Sequence, residues 1–214
     1  MATSCPVAPL LCLPIELRYA IYDQLCLSSP LSYPYPSPSP ITSIDTRGPP
    51  TSLLLTNRML FEELSTYYFS RCTFRFVAQS FTTHFSPISP GSLLVLRKAR
   101  RIELLLLPGT MKASATDPST ASITVKQMSA HWLEEHVRLL RDEAKELEVM
   151  VVSMRRVSWN HEWSVKCEME ALLRPLEVLR ETGVEFRVGE VLGPGMVEVE
   201  MREELGGVLE RLNL

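Results

Sequence analysis

Hydrophobic positions along the chain change period several times, and each change predicts an element. Residues 13–27 read as a helix: Leu17, Ile21 and Leu25 recur every four residues, and Tyr22 widens the stripe. Pro14 suits a first helical turn, where its missing N–H costs nothing, and Glu16 suits the positive end of the helix dipole. The pattern then stops. Residues 28–50 hold seven prolines and six serines, which remove backbone donors and disfavour helix at the preceding residue, so an exposed, extended and mobile loop is expected there. Helical spacing returns over 52–70, with Leu60, Leu64, Tyr67 and Tyr68 on one side. The alternating, aromatic stretch 72–77 reads as a strand.

Strand and helix periods alternate from there. Helical pieces are expected near 78–85 and 91–98, a strand at 101–107, a polar loop at 108–122 and a long amphipathic helix at 126–145. A strand at 147–154 precedes a helix at 164–182 stopped by Gly183, a strand at 184–191, and a last helix at 197–212 after Gly193-Pro194-Gly195. This spacing argues for right-handed crossovers. The expected fold is therefore α+β or α/β: an N-terminal helical segment followed by a mainly parallel, four-stranded sheet with crossover helices. The apolar middle of 147–154 suggests a strand covered on both faces. The domain reading is a flexible tail at 1–9, a helical segment at 10–71 containing the 28–50 loop, and an α/β domain at 72–214.

Composition narrows the partners. The 214 residues are 45% hydrophobic, enough for one sizeable core, and the net charge of −3 gives no global pull toward nucleic acid or an anionic membrane. No apolar run approaches a membrane span, and the apolar stretch 7–13 lacks the basic flank of a leader. Five cysteines (Cys5, Cys12, Cys26, Cys72 and Cys167) show no C-x-x-C spacing, which disfavours a zinc site or a disulfide framework and favours a reducing compartment. The expectation is an intracellular protein, cytoplasmic or nuclear, binding neither nucleic acid nor membrane.

A search for chemistry finds no catalytic set, and no cofactor or metal is expected. Of His84, His131, His136 and His161, the middle two are five residues apart, which turns them away from one another on a helix. No nucleophile elbow or phosphate-cradling glycine loop occurs. Glu62-Glu63, Glu134-Glu135 and Glu203-Glu204 read as solvated helix faces. Trp159, His161 and Trp163 form a candidate pocket cluster, and Arg155 and Arg156 stand where a parallel sheet would meet an anionic ligand. These features support the alternative reading, a small-ligand binder or enzyme on the α/β domain.

Leu13-Pro14-Ile15-Glu16-Leu17-Arg18, then Ile21-Tyr22 and Leu25, resembles the start of an F-box. With Leu53-Leu54-Leu55-Thr56-Asn57-Arg58, Glu62-Glu63, Tyr67-Tyr68 and Thr73-Phe74-Arg75-Phe76, the pattern over residues 10–77 is similar to a large group of fungal F-box-like proteins marked by a Glu-x-Arg motif, here Glu16-Leu17-Arg18. The resemblance implies a non-enzymatic interaction protein. It would bind the Skp-type adaptor of a cullin–RING ubiquitin ligase through Leu13, Pro14, Leu17, Ile21 and Leu25, and present an unidentified protein substrate on the α/β domain. Two departures stand out: the Pro/Ser insert separates the two helices, and Tyr67-Tyr68 replace the tryptophan common near the end of an F-box. Adaptor-free alternatives are a degenerate F-box, or an apolar stripe that docks onto the chain's own α/β domain.

Overall fold

Pro14 opens the first helix as its spacing predicts. Its carbonyl accepts the N–H groups of Leu17 and Arg18, both at 3.1 Å, and α1 then runs Ile15–Leu25. The computed structural model describes residues 9–25, 29–36, 39–78, 88–107, 118–156 and 165–214, with backbone alone for 9, 118–130 and 165–168. Of the tail expected at 1–9, residues 1–8 lie outside the described residues and Pro9 opens a 3₁₀ turn, Pro9–Cys12; the helical piece near 78–85 beyond Ala78 and the Trp159, His161 and Trp163 cluster also lie outside the described residues.

The predicted helix at 52–70 is two helices, α2 (Thr51–Leu54) and α3 (Arg58–Arg71). Asn57 divides them: in extended backbone, its side chain accepts the N–H of Met59 at 2.8 Å and caps α3. The later helices are α4 (Pro90–Leu96), α5 (Pro118–Glu143), α6 (Val165–Leu173), α7 (Glu177–Arg180) and α8 (Met196–Leu212). The loop expected at 108–122 gives way to α5 from Pro118, since proline is well suited to a first helical position. The helix expected at 164–182 is broken by a 3₁₀ turn at Arg174–Leu176, because Pro175 has no N–H to donate. Gly183 ends this stretch with φ 75°, as expected.

Among the described residues the sheet has six strands rather than four. These are β1 (Leu31–Ser32), β2 (Ser43–Ile44), β3 (Phe74–Val77), β4 (Arg101–Leu106), β5 (Val149–Arg155) and β6 (Glu185–Leu192), and they lie side by side in chain order. The last four pair in parallel, and β1 and β2 add antiparallel at the β3 edge. The two additional strands come from the Pro/Ser-rich segment. Ile41 and Ile44 are buried in the main core, and Thr42 donates its N–H and hydroxyl to the carbonyl of Arg75, both at 2.9 Å. Farther back, the Ser39 hydroxyl accepts from that of buried Ser92 on α4 at 2.9 Å. A segment expected to be an exposed loop is thus sewn to the sheet.

A monotonic parallel order, with crossovers of one hand, places the crossover helices on a single face. Burial follows. Phe74, Phe76, Ile102, Leu104, Met150, Val152 and Met154 are wholly buried on the helix side, with Leu133, Val137 and Leu140 of α5 in the same core. Arg75, Val77, Arg101, Leu105, Val149 and Val151, on alternate positions, are half-buried. Of the two faces of β5 expected to be covered, the helix side is wholly buried and the other half-buried, with Ser153 buried on it. That second face carries its own polar core. Glu103 accepts from Arg75 Nε at 2.7 Å and from the Ser153 hydroxyl at 2.6 Å, and Ser153 accepts the N–H of Glu190 at 2.9 Å. Gly189 permits this approach at a register shift between β5 and β6: a Cβ there would lie 2.1 Å from Ser153 Oγ and 2.6 Å from Val151 Cγ1.

Two changes check this arrangement. Gly189→Ala is expected to cost about 1–3 kcal/mol by overpacking, read by urea melts, with Ser153→Ala recovering part of the loss. His136, buried on α5 and stacked on Trp132 with ring centroids 4.0 Å apart, has its pKa pushed down by burial to about 4. The unfolded imidazole takes its proton near pH 6.5 and the folded one only near 4, so stability is full above the first value and falls toward the second. The loss should be roughly 3 kcal/mol, and His136→Phe should remove that part of the acid slope.

Candidate functional site: the outer face of the first helix

The aliphatic stripe expected to dominate α1 is on its outside. Leu17 is 53% exposed and Ile21 36%, Pro14 is exposed, and Leu13 and Leu25 are half-buried. The buried side chains of α1 are Arg18 and Tyr22. The alternative in which the stripe docks onto the chain's own α/β domain therefore does not hold for Leu17 and Ile21.

A charged anchor sets this rotation. Arg18 donates from Nε and a terminal nitrogen to the two carboxylate oxygens of Glu63 on α3, both at 2.8 Å, and its other terminal nitrogen donates to the Leu13 carbonyl. A fork-to-fork contact of this kind fixes direction as well as distance. Tyr22 donates to the same carboxylate at 3.0 Å. The place of Glu63 in the Glu62-Glu63 pair predicts a solvated position. Glu62 fits that reading, exposed and paired with Arg58 at 2.9 Å, but Glu63 points inward. The Arg18 guanidinium holds the Glu63 carboxyl below its usual range, and burial with Glu63 as neighbour pushes the Tyr22 phenol up to about 12.

Aromatic packing surrounds this pair. Tyr22, Leu64 and Tyr67 form a small core separate from the main one, joined by Leu10, Tyr19, Leu25, Leu53 and Leu54. The Tyr22 and Tyr67 rings meet edge to face at 5.5 Å, and Tyr67 and Tyr19 are 4.7 Å apart. One turn on, Asp23 accepts from the Tyr67 hydroxyl and from Arg71 at 3.0 Å. Contacts advance together along both helices (18 with 63, 23 with 67 and 71), so α1 and α3 run in the same direction. Tyr68 and Phe69 then tie α3 to the main core, with Phe69 stacked on Phe74 at 5.9 Å.

The exposed side of α1 carries an uncharged strip bordered by exposed Glu16 and Asp23. Pro14, Leu17, Ala20, Ile21 and Gln24 are all exposed, and their 3-4-3 spacing through Leu17 and Ile21 places them along one face. The arrangement offers no chemistry; it offers two branched aliphatic side chains one turn apart on a helix locked from behind.

The other sequence-predicted sites fare differently. Arg155 pairs loosely with Glu190 at 3.7 Å, and the Arg156 N–H bonds the Leu192 carbonyl. The connections beyond β3, β4 and β5, where a ligand of a parallel sheet would sit, fall largely outside the described residues. A cleft of about 500 Å³ lies at the other end of the sheet, between Arg180, Val184, Glu185, Leu212 and Asn213. Among the described residues no group of three His, Cys, Asp or Glu could hold a metal ion, and no helix is long and apolar enough to cross a membrane. Cys12 is exposed and Cys72 buried. Comparison with known proteins gave no match to a protein-family model, to a curated protein or to a solved structure.

The anchor is tested by a double-mutant cycle. Arg18→Met leaves a carboxylate facing an aromatic cluster without its cation, and Glu63→Met leaves the reverse. Each single change should lower the melting temperature more than Arg18→Met/Glu63→Met together, because the double variant leaves no unpaired charge.

Proposed function

We propose that this chain is a non-enzymatic interaction protein of the F-box-like kind, which offers the outer face of α1 to a Skp-type adaptor of a cullin–RING ubiquitin ligase. The sheet-bearing part would then present a protein substrate, in the cytoplasm or nucleus. One observation carries the reading. The aliphatic residues of the LPIELRxxIY pattern, Leu17 and Ile21, face solvent, while the same helix turns Arg18 and Tyr22 inward. A helix burying an arginine and exposing leucine and isoleucine inverts the usual preference. Covering that face with an apolar partner would remove the cost.

Few side chains are needed for such a contact. Interfaces draw most of their energy from a handful of well-packed anchors, and a helix laid on a partner reads them at three- and four-residue spacing. Pro14, Leu17 and Ile21 have that spacing, with Leu13 and Leu25 at the margins. No charge has to be stripped of water along this stripe.

The test is a pull-down of the purified chain with a Skp-type adaptor, comparing wild type with Leu17→Asp/Ile21→Asp. Both positions are exposed, so the variant should keep its circular dichroism spectrum and a near-normal melt, whereas Tyr22→Ala should unfold the two-helix module. The expected result is adaptor capture by the wild type and at least a tenfold weakening, about 1.4 kcal/mol, in the folded double variant. Failure of the wild type to bind, or equal binding by the variant, would sink the proposal.

A further inference from the structure

Among the described residues no strand pairs with the outer side of β6, and Asn213 meets that side near the start of the strand. The Glu185 N–H turns inward to the Glu148 carbonyl at 2.9 Å. Alternation along a parallel strand therefore turns both backbone groups of Phe186 outward, away from β5. They do not meet water there. The Phe186 N–H donates to Asn213 Oδ1 at 2.8 Å, and the Phe186 carbonyl accepts from Asn213 Nδ2 at 2.9 Å. A side-chain amide carries the same donor and acceptor as a peptide group. Asn213 thus makes the pair of bonds that a residue of a seventh strand would make. At the far end of β6, Arg202 of α8 reaches the Val191 carbonyl at 3.5 Å.

Exposed strand edges template pairing with other chains, and proteins blunt them in specific ways. Here the edge also complements itself. In an antiparallel pair of β6 strands centred on Phe186, Glu185 of each copy would stand opposite Arg187 of the other. Both are exposed and lie two residues apart on one face, already paired at 2.7 Å within the chain. Val184 would stand opposite Val188. Opposite charges across a strand pair are favourable, and like charges are not. This register is centred on the residue that Asn213 occupies.

We infer that Asn213 acts as a surrogate seventh strand, keeping β6 from pairing with β6 of a second copy of this chain. Without its amide, the Phe186 N–H and C=O become free to bond a second Phe186, and Glu185–Arg187 pairs flank the junction on both sides. The inference stands apart from the adaptor proposal, since α1 takes no part in it.

The experiment compares wild type with Asn213→Ala by light scattering over a concentration series, after circular dichroism has shown that both are folded. Backbone hydrogen exchange is followed at Phe186 and Val188. Wild type should stay at monomer mass at every concentration. Asn213→Ala should shift toward dimer mass as concentration rises, with faster exchange at Phe186 when dilute and renewed protection when concentrated. Adding Glu185→Arg, which sets like charges opposite one another, should return the variant to monomer. A variant that remains monomeric, a dimer that survives Glu185→Arg, or a wild type already paired through β6 would each overturn the inference. If Asn213→Ala melts too low to assay, Asn213→Asp keeps the acceptor for the Phe186 N–H but loses the donor, and the same outcomes decide.

Discussion

Two oppositely charged side chains, Arg18 and Glu63, decide how the first helix sits. A guanidinium or carboxylate turned toward a cluster of tyrosines and leucines is tolerated only with its partner in place, and the bidentate contact has one good geometry. Once Arg18 faces α3, helical spacing leaves no choice for the rest. Tyr22 follows it inward one turn later, and Leu17 and Ile21 are carried to the outside. The surface assigned to a partner is thus a by-product of a pair on the other side of the helix. Within Glu16-Leu17-Arg18 the arginine is the inner bolt, and the leucine before it faces solvent.

How much of this could be read beforehand depends on range. The strands at 101–107, 147–154 and 184–191, and the helix at 197–212, lie close to their expected bounds because each has its own period and punctuation. Gly183 stops its helix as a glycine should. β1 and β2 were not legible, since a strand of two residues has no period to detect. Proline-rich chain excludes helix but not edge pairing. Leu17, Ile21 and Leu25 did predict a helix, and their spacing was sound. Which face of it would be buried was set by a carboxylate 45 residues away, on a helix whose adjacent glutamates look alike in sequence. The Trp159, His161 and Trp163 cluster, legible as a motif, falls outside the described residues.

The sheet shows the same division between local and distant causes. Its helix side is a continuous apolar layer that hydropathy announces. Its other side depends on the Arg75–Glu103–Ser153 chain across three strands, where Gly189 leaves room for a hydroxyl. A buried carboxylate with both oxygens satisfied is stable where an orphan would not be. Nothing in the local run RIELLL distinguishes that fate for Glu103 from a solvated one.

Strand order has one more consequence. Because β1 to β6 lie in chain order, every strand pairs only with its neighbours in sequence. No strand has to be inserted between two that are already paired, so the sheet can be built by addition at an edge. Growth can start at the β4–β5 or β5–β6 pair and extend one crossover at a time. The two-residue strands are the outermost addition, where fraying leaves the central ladder intact.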